Sequence, residues 1–289
     1  MILSKLLKMQ LNSLNDNMKF FKNILIDERN SKFKPSWKIS QKSFDKIYSI
    51  VCQYINDNEL SNDDLLKYKQ LIHEPSHIEY DVYAPSFLYL YFVANYYKIR
   101  YSLEQSVQKE VLKKNFCVLD LGCGSGASTL ALIDWYLHDN NSGTLIVDAV
   151  DNVAKQLDLH KQILSNDILN DTIQINRIID DGICYMQQCT KQYDLVIAGN
   201  FLCELDQQRR KDSINNLVKI VKPDALLLIV ERLKSGVYED FENNSYFTEK
   251  QSEFSQGYEI PKPECLSIPQ LKIDSKNSFS IGYKLFERL

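Results

Sequence analysis

The stretch VLDLGCGSG, from Val118 to Gly126, constrains the fold of this chain more than any other segment. Its three glycines occupy alternate positions directly after a short apolar run, and no glycine precedes residue 122. A strand that runs through a glycine-rich turn into a helix lets a ligand approach the backbone closely, and the first N–H groups of the helix then face that ligand. The stretch therefore predicts a ligand-binding loop in a protein that combines strands and helices.

The residues after 115 alternate between short apolar runs and helical stretches. Near-continuous apolar runs are typical of strands that are buried on both faces of a parallel sheet. Their alternation with helices indicates a doubly wound, mostly parallel α/β sheet. The predicted strands are 116–121, 145–150, 173–179, 193–198 and 225–230, and the predicted helices are 127–138, 152–165 and 205–221. The final segments CLSIPQLKI and SFSIGYKLFER predict a closing antiparallel pair.

The N-terminal part of the chain has a different pattern, with apolar residues at helical spacing in 2–26 and 43–72. Pro85 is well placed to open a long helix that continues to about residue 110. We therefore predict a helical N-terminal cap or substrate-lid region over residues 1–112. A Rossmann-like domain is predicted over residues 113–289.

The composition excludes several classes of protein. A net charge of −4 does not suit a protein whose whole surface binds nucleic acid, although residues 1–50 hold ten Lys and Arg against four acids. Seven cysteines without a CxxC pair do not indicate a disulfide framework, so a reducing, cytoplasmic compartment is expected. Lys5 and Lys8 interrupt any signal-peptide core, and the apolar run 85–97 is shorter than the roughly 20 residues of a membrane span.

The ligand of the glycine loop can be narrowed further. No lysine follows Gly126 closely, which excludes the GxxxxGK[ST] loop of nucleoside triphosphatases. Gly122, Gly124 and Ala127 do satisfy the dinucleotide pattern GxGxxA, so that reading stays open. Asp120 at the end of the strand would repel a pyrophosphate, whereas it suits a ligand with a positively charged amino group.

Five segments, in order along the chain, resemble the motifs of class I S-adenosylmethionine-dependent methyltransferases. They are VLDLGCGSG, TLIVDAVDNV, RIIDDGICYM, YDLVIAGNFLCEL and KIVKPDALLLIVE, and they cover about residues 115–235. The resemblance implies the class I methyltransferase fold, S-adenosylmethionine as the cofactor, and methyl transfer as the activity.

The same resemblance implies where the methionine part of the cofactor would lie. Asp120 would meet its ammonium group, and Gly122 and Gly124 would form the loop beneath it. Asn200 follows the fourth strand, whose end faces the sulfonium in the family.

The resemblance also implies the residues that would hold the adenosine. Asp151 ends the second strand and would accept hydrogen bonds from the ribose hydroxyls, with Asp148 as the alternative acid. Asn152 follows at the position where, in the family, a residue packs on the adenine. The third segment, RIIDDGICYM, offers two acids for the adenine amino group, and Asp181 is preferred to Asp180. Gly182 would supply a backbone contact to the adenine.

A weaker resemblance links YAPSFLYLYFVANYYKIRYSLE and the region 200–232 to a methyltransferase-like family associated with mitochondrial small-ribosomal-subunit assembly. That family carries a set of cysteines for a metal cluster, yet here only Cys265 lies beyond Cys203. His73 and His77 have the spacing of helical metal ligands, but Pro75 between them breaks that geometry. No metal site is therefore expected.

Methyl transfer from a sulfonium requires alignment of the acceptor more than a fixed catalytic motif, so no catalytic residue is assigned. Glu204 is a candidate for orienting an acceptor or for a structural role at a helix end, and the tyrosines of residues 80–97 are candidates for the acceptor pocket. A small-molecule acceptor is the leading prediction. The alternatives are an RNA- or ribosome-associated protein that uses the basic residues 1–50, and a cofactor-binding protein without methyltransferase activity.

Overall fold

A computed structural model of the protein describes residues 41–71, 79–107, 114–138, 143–165, 171–231, 236–242, 244–259, 271 and 278–289. Several sequence predictions lie outside these ranges. They are the helix over 2–26, most of the basic residues 1–50, the histidines 73 and 77, Cys265, and all but one residue of the predicted strand CLSIPQLKI.

The described residues contain a seven-stranded sheet with the strand order β3-β2-β1-β4-β5-β7-β6. Strands β1 to β5 are parallel, whereas β7 is antiparallel to both β5 and β6. The strands are β1 (Asn115–Leu121), β2 (Thr144–Asp151), β3 (Ile173–Ile179), β4 (Tyr193–Gly199), β5 (Val221–Val230), β6 (Phe247–Glu259) and β7 (Ser278–Arg288). The strand order reverses between β1 and β4, and such a reversal opens a crevice at the carboxyl ends of the strands.

Helices connect the parallel strands and precede the sheet. The helices before the sheet are α1 (Gln41–Asp57), α2 (Asn62–Leu71), α3 (Tyr80–Phe87) and α4 (Val93–Ser106), with a π-helical turn at Leu88–Phe92 between the last two. The later helices are α5 (Ala127–His138), α6 (Ala154–Ile163), α7 (Gly182–Gln188), α8 (Gln207–Ile220) and α9 (Val237–Glu242), with a 3₁₀ turn at Leu202–Glu204. The predicted doubly wound α/β fold with an N-terminal helical region is confirmed.

The prediction that Pro85 opens a long helix is wrong. The helix begins at Tyr80, and the carbonyl of Glu79 accepts hydrogen bonds from the amides of Val82 and Tyr83. Pro85 lies inside the helix, and the following turn is π-helical. A proline disrupts the hydrogen-bond ladder, and π turns are one way in which a helix absorbs such a disruption. Burial of Leu88 and its neighbours keeps the chain helical through this irregularity.

The closing antiparallel pair is predicted only in part. SFSIGYKLFER forms β7 as expected, but its partner is β6, a segment to which no strand was assigned. β6 contains FTEKQSEFSQ, where polar residues outnumber apolar ones because the strand is at the edge of the sheet and several of its side chains are exposed. Such a strand has little of the apolar signal on which the sequence prediction depends.

A buried ion pair connects the N-terminal helices to the sheet domain. The guanidinium of Arg100 in α4 donates from Nε to Asp134 Oδ2 in α5 at 2.8 Å, and from Nη1 to Glu104 Oε2 at 2.8 Å. The hydroxyl of Tyr96 donates to the same oxygen of Asp134 at 3.2 Å. The Arg100 side chain is 1% exposed and that of Asp134 is 0% exposed, so α4 is fixed against the helix that follows the glycine loop.

Two further findings concern the compartment. None of the helices in the described ranges has both the length and the hydrophobicity that a membrane span requires. Cys52 in α1 is disulfide-bonded, whereas Cys117, Cys123, Cys184 and Cys189 are free thiols, as is Cys203. A disulfide is uncommon in a reducing cytosol, so this bond does not support the compartment expected from the sequence.

Candidate active site

A cavity of about 590 Å³ lies at the crevice between the carboxyl ends of the strands and the helices α3 and α4. Its volume is in the range of small-molecule and cofactor sites. Seven of the eight residues that the sequence predicts for cofactor binding line this one cavity, which are Gly122, Gly124, Asp151, Asn152, Asp181, Gly182 and Asn200. The eighth, Asp120, is not among the lining residues.

The glycine loop begins where β1 ends and leads into α5. Gly122, Gly124 and Gly126 have φ values of +66°, +51° and +99°, in the left-handed region that strongly favours glycine. A Cβ on Gly126 would lie only 2.9 Å from a ring carbon of His160, so close packing also requires glycine there. The amides of Gly122 and Cys123 donate to the carbonyl of Val150, which joins the loop to β2.

Asp151 connects the end of β2 to the glycine loop. Its Oδ2 accepts a hydrogen bond from the amide of Gly124 at 2.8 Å, and its Oδ1 accepts one from the amide of Val153 at 2.9 Å. Burial raises the pKa of Asp151, and these two N–H groups oppose that shift. A carboxylate offers about four acceptor positions, so both oxygens retain capacity for a ligand hydroxyl.

The alternative acid for this position, Asp148, lies within β2 and does not line the cavity. Its oxygens accept hydrogen bonds from Asn176 at 2.7 Å, Lys191 at 2.7 Å and Tyr193 at 2.6 Å. Burial raises the pKa of Asp148, but these donors outweigh it and lower the pKa. Its partners therefore assign Asp148 to a structural network inside the sheet.

Asp181 begins α7 at the same edge of the cavity. Its Oδ1 accepts from the amides of Ile183 and Cys184, and its Oδ2 accepts from Arg209 Nη2 at 2.7 Å. Burial raises the pKa of Asp181, but the Arg209 hydrogen bond and the helix amides lower it by more, so the pKa lies below its usual value. The competing acid, Asp180, is absent from the cavity lining.

Phe201 connects two of the predicted glycines. Its ring lies against both Gly122 and Gly182, since a Cβ on Gly182 would be 2.7 Å from Phe201 Cζ and one on Gly122 would be 3.0 Å from Cδ2. Gly182 therefore leaves room for this ring, a role that the sequence did not indicate. Asn200 precedes it with a φ of +55°, and its Nδ2 donates to Asn95 Oδ1 at 3.4 Å.

Asp120 lies beneath the loop in a buried chain of hydrogen bonds. Its Oδ2 accepts from the hydroxyls of Ser128 and Thr129, each at 2.6 Å. The His160 ring contacts the Thr129 hydroxyl through Nε2 at 3.0 Å and accepts at Nδ1 from Arg177 Nε at 3.0 Å. Nδ1 must be the unprotonated nitrogen, so Nε2 carries the proton and donates to Thr129. The Thr129 hydroxyl in turn donates to Asp120.

The surroundings of this series of hydrogen bonds shift the pKa of Asp120 and the pKa of His160. Burial raises the pKa of Asp120 to about 6, although the hydroxyls of Ser128 and Thr129 oppose the shift. Burial lowers the pKa of His160 to about 3, and the charge of Arg177 adds to that. Asp120 Oδ1 is buried and has no hydrogen-bond partner among the described residues.

We expect Asp120→Asn to change how stability depends on pH. An acid whose pKa is raised in the folded state contributes stability that is fully present below its unfolded pKa and is lost as the pH rises through its folded pKa. The free energy of unfolding of the wild type should therefore fall relative to Asp120→Asn by about 2–3 kcal/mol between pH 4 and pH 7. Urea denaturation of both proteins across this range measures the difference. A difference that does not vary with pH would mean that Asp120 does not titrate as described.

Sequence reasoning missed several of the other residues that line the cavity. Tyr80, Asn95, Ile99 and Gln156 line it, together with Glu204, the candidate for orienting an acceptor. The hydroxyl of Tyr80 in α3 donates a hydrogen bond to Glu204 Oε1. Tyr80 belongs to the aromatic stretch that was expected to contain acceptor-site tyrosines. The sequence contains no motif that would mark Asn95 or Gln156 as residues of the cavity.

Within the described ranges, no group of three or more His, Cys, Asp or Glu is arranged to hold a metal ion. The charged groups that line the cavity are the carboxylates of Glu79, Asp81, Asp151, Asp181 and Glu204 and the single guanidinium of Arg209.

The sequence matches one family model, which is described as a methyltransferase domain and covers residues 118–224. These residues extend from β1 into β5, and they include the glycine loop and the residues that follow β2, β3 and β4. No curated protein matches the chain significantly.

Several solved structures resemble the fold at low sequence identity. A putative class I S-adenosylmethionine-dependent methyltransferase from Listeria monocytogenes has a TM-score of 0.49 and 14% identity, over 86% of this chain and 88% of that one. The N-methyltransferase NodS from Bradyrhizobium japonicum, solved with S-adenosylhomocysteine, has a TM-score of 0.45 and 16% identity, over 76% and 97%. The magnesium protoporphyrin IX methyltransferase ChlM from Synechocystis, solved with S-adenosylmethionine, has a TM-score of 0.45 and 13% identity, over 68% and 79%. Residues 118–224 therefore match a methyltransferase domain, and such a domain implies S-adenosylmethionine as the cofactor.

Proposed function

We propose that the protein transfers a methyl group to a small-molecule acceptor that enters the cavity beneath α3 and α4. In this proposal the cofactor occupies the end of the cavity formed by the glycine loop and the residues after β2 and β3. The acceptor occupies the end lined by Tyr80, Phe87, Ile99 and Glu204. Asn95 and Asn200 lie between the helices and the end of β4.

The residues at the cofactor end suit a ligand that carries hydroxyl groups. Asp151 offers acceptor positions for ribose hydroxyls, and Asn152 and Gly182 line the cavity beside it. The carboxylates of Asp151 and Asp181 line this end and disfavour a pyrophosphate.

The protein's part in the reaction is alignment and exclusion of water. When bound, S-adenosylmethionine supplies a methyl group on an electrophilic sulfonium. The side chains of Phe87, Ile99 and Phe201 give the cavity apolar walls, and the Asn200 amide is held against Asn95 at the end of β4. Holding an acceptor in one orientation within a dry site lowers the barrier to an in-line displacement.

The charge of the cavity is the observation that favours a small molecule over RNA. Five carboxylates and one guanidinium line it, and that guanidinium is already paired with Asp181. A nucleic acid brings one negative charge per phosphate, so such a lining repels it. The RNA- or ribosome-associated alternative depends on the basic residues 1–50, most of which lie outside the described ranges. A cytoplasmic location remains part of the proposal.

Calorimetry separates these possibilities. We expect S-adenosylmethionine and S-adenosylhomocysteine to bind at least about tenfold more tightly than NAD, a difference of at least about 1.4 kcal/mol. RNA binding is expected to be weak and unaffected by removal of residues 1–40. Strong RNA binding that falls steeply with salt and is lost in the shortened protein would support the ribosome-associated alternative instead. Binding of the cofactor without transfer to any acceptor class would favour a protein without methyltransferase activity.

A further inference from the structure

The carboxylate of Glu231 lies directly after β5 and outside the lining of the cavity, and the residue is 1% exposed. Its Oε1 accepts hydrogen bonds from two consecutive backbone amides, that of Leu202 at 2.8 Å and that of Cys203 at 3.3 Å. The carbonyl of Val230, the last residue of β5, accepts from the amide of Asn200 at 2.9 Å. Glu231 therefore continues the attachment of the chain to β5 beyond the point where the pairing of β4 with β5 ends.

The segment that Glu231 holds, which we call the β4 turn and define as residues 200–204, forms part of the cavity wall. Its members that line the cavity are Asn200, Phe201 and Glu204. The ring of Phe201 packs against Gly122 in the glycine loop and against Gly182 at the start of α7. The position of the β4 turn thus decides how the ring borders both segments of the cofactor end.

The backbone of Glu231 is itself fixed by neighbouring elements. Its amide donates to the carbonyl of Gly282 in β7 at 3.0 Å and to the hydroxyl of Tyr238 in α9 at 2.9 Å. That hydroxyl donates in turn to the carbonyl of Gly282. The carboxylate is therefore a fixed point to which the β4 turn is attached.

The charge of Glu231 decides how strongly it binds the amides of the β4 turn. Burial raises the pKa of Glu231 to about 7, although the Cys203 side chain, the amides of the turn and the charge of Lys98 in α4 oppose that shift. Tyr238 also contacts Glu231, and burial raises the pKa of its hydroxyl, which therefore stays protonated. Hydrogen bonds to an ionised acceptor are roughly twice as strong as those to a neutral one, so the turn is held most tightly above neutral pH.

From these contacts we propose that Glu231 is a positioning residue of the methyl-transfer site. Its carboxylate holds the β4 turn so that Phe201 packs against Gly122 and Gly182, and this attachment is tightest when Glu231 is ionised. The inference rests on the function proposed above, because the glycine loop and the start of α7 belong to its cofactor end. Glu231 touches neither the cofactor nor the acceptor in this proposal and acts only through the turn.

The first measurement follows the hydrogen bond itself by nuclear magnetic resonance. The full-length protein is labelled with ¹⁵N-leucine, and its amide signals are recorded from about pH 5.5 to about pH 8.5. The Leu202 signal is the one that Leu202→Met removes. We expect its amide proton to move downfield as Glu231 ionises, with a midpoint at the Glu231 pKa of about 7. In Glu231→Gln this signal should no longer titrate.

The second measurement is the affinity for S-adenosylhomocysteine, because Phe201 borders the cofactor end. Glu231→Ala removes the acceptor and should weaken binding by about tenfold or more at both limits of the pH range. Glu231→Gln keeps an acceptor oxygen without a charge, so it should match the wild type within about twofold at about pH 5.5 and bind about threefold or more weakly at about pH 8.5. Asp120 also titrates in this range, but it does so in both proteins and cancels in their ratio.

Asp194→Asn is the matched control. Asp194 is also a buried acid, 4% exposed, whose carboxylate accepts from a backbone amide, that of Cys117 at 3.0 Å, and it does not line the cavity. It lies near the beginning of β4, at the opposite end of the strand from the β4 turn. This variant should leave the affinity for S-adenosylhomocysteine within about twofold of the wild type at both pH values.

The outcomes distinguish the two proposals. Failure of the wild type to bind S-adenosylhomocysteine would overturn the proposed function itself. Normal binding, combined with a ratio of Glu231→Gln to wild-type affinity that does not change with pH, would overturn only the inference about Glu231. A Leu202 signal that titrates in Glu231→Gln as in the wild type would do the same. Equal losses of affinity in Glu231→Ala and Asp194→Asn would also overturn it, because the effect would then follow stability and not the β4 turn.

Discussion

Replacement of Asp151 by alanine is expected to weaken the binding of S-adenosylhomocysteine by about 100-fold. The carboxylate of Asp151 accepts hydrogen bonds from the amides of Gly124 and Val153. It thereby fixes the glycine loop to the end of β2. Hydrogen bonds to a charged group contribute about 1.5–3 kcal/mol each, so loss of the loop contact and of the proposed ribose contact accounts for an effect of this size. Calorimetry measures the affinity directly.

Two comparisons make the Asp151 result decisive. Asp151→Asn keeps the size of the side chain but places an amide donor against a backbone donor, so it should also weaken binding. Asp171→Ala changes an exposed acid in the turn before β3 and should leave the affinity within about twofold. Wild-type affinity in Asp151→Ala would show that the cofactor does not bind where the site residues are proposed.

The second large effect concerns the buried ion pair between α4 and α5. Arg100→Met should reduce the free energy of unfolding by about 3–5 kcal/mol, because it leaves the Asp134 carboxylate buried without its charged partner. The Tyr96 hydroxyl still donates to Asp134, but a neutral donor does not replace a guanidinium. Chemical denaturation measures the change.

Two control variants test whether the burial and the charge of the Arg100–Asp134 pair cause the loss of stability. Lys250→Met breaks an exposed ion pair with Glu287 and should cost less than about 1 kcal/mol. The double variant Arg100→Met with Asp134→Leu removes both charges and should recover most of the stability. A double variant as unstable as Arg100→Met alone would show that the packing of Arg100, and not its charge, is what matters.

The sequence was sufficient for the parallel part of the fold because the apolar runs end at sharp polar boundaries. The predicted strand 173–179 and helix 127–138 have the observed bounds. β5 begins at Val221, four residues before its predicted start. The segment KPD is typical of a turn, and Asp224 takes a φ of +60° where the pairing of β4 with β5 shifts register. The turn signal therefore appears in the structure as an irregularity within the strand.

The candidate site could be predicted only where a residue follows the end of a strand. Asp151 ends β2, and Asp181 and Asn200 follow β3 and β4, so the strand prediction places all three at one edge of the sheet. Asp120 was expected at the same edge, but its side chain lies beneath the loop against α5. Strand alternation alone does not show which face carries a ligand when both faces are covered by helices.

Several residues of the cavity could not be predicted because they come from distant parts of the chain. Tyr80 and Glu204 are 124 positions apart and meet only through the packing of α3 over the sheet. Gln156 is recognisable only by the hydrogen bond that it lacks. Neither property has a counterpart in local sequence.

The π-helical turn at Leu88–Phe92 has a consequence for how the cavity tolerates a change in chain length. A π turn holds one residue more than an α turn, so the extra residue is absorbed locally and the segments on either side face as they would in an α-helix that is one residue shorter. Tyr80 and Phe87 before the turn, and Asn95 and Ile99 after it, therefore line one cavity despite the extra residue between them. A deletion of one residue in this turn is expected to leave these four side chains on the same side of the helix.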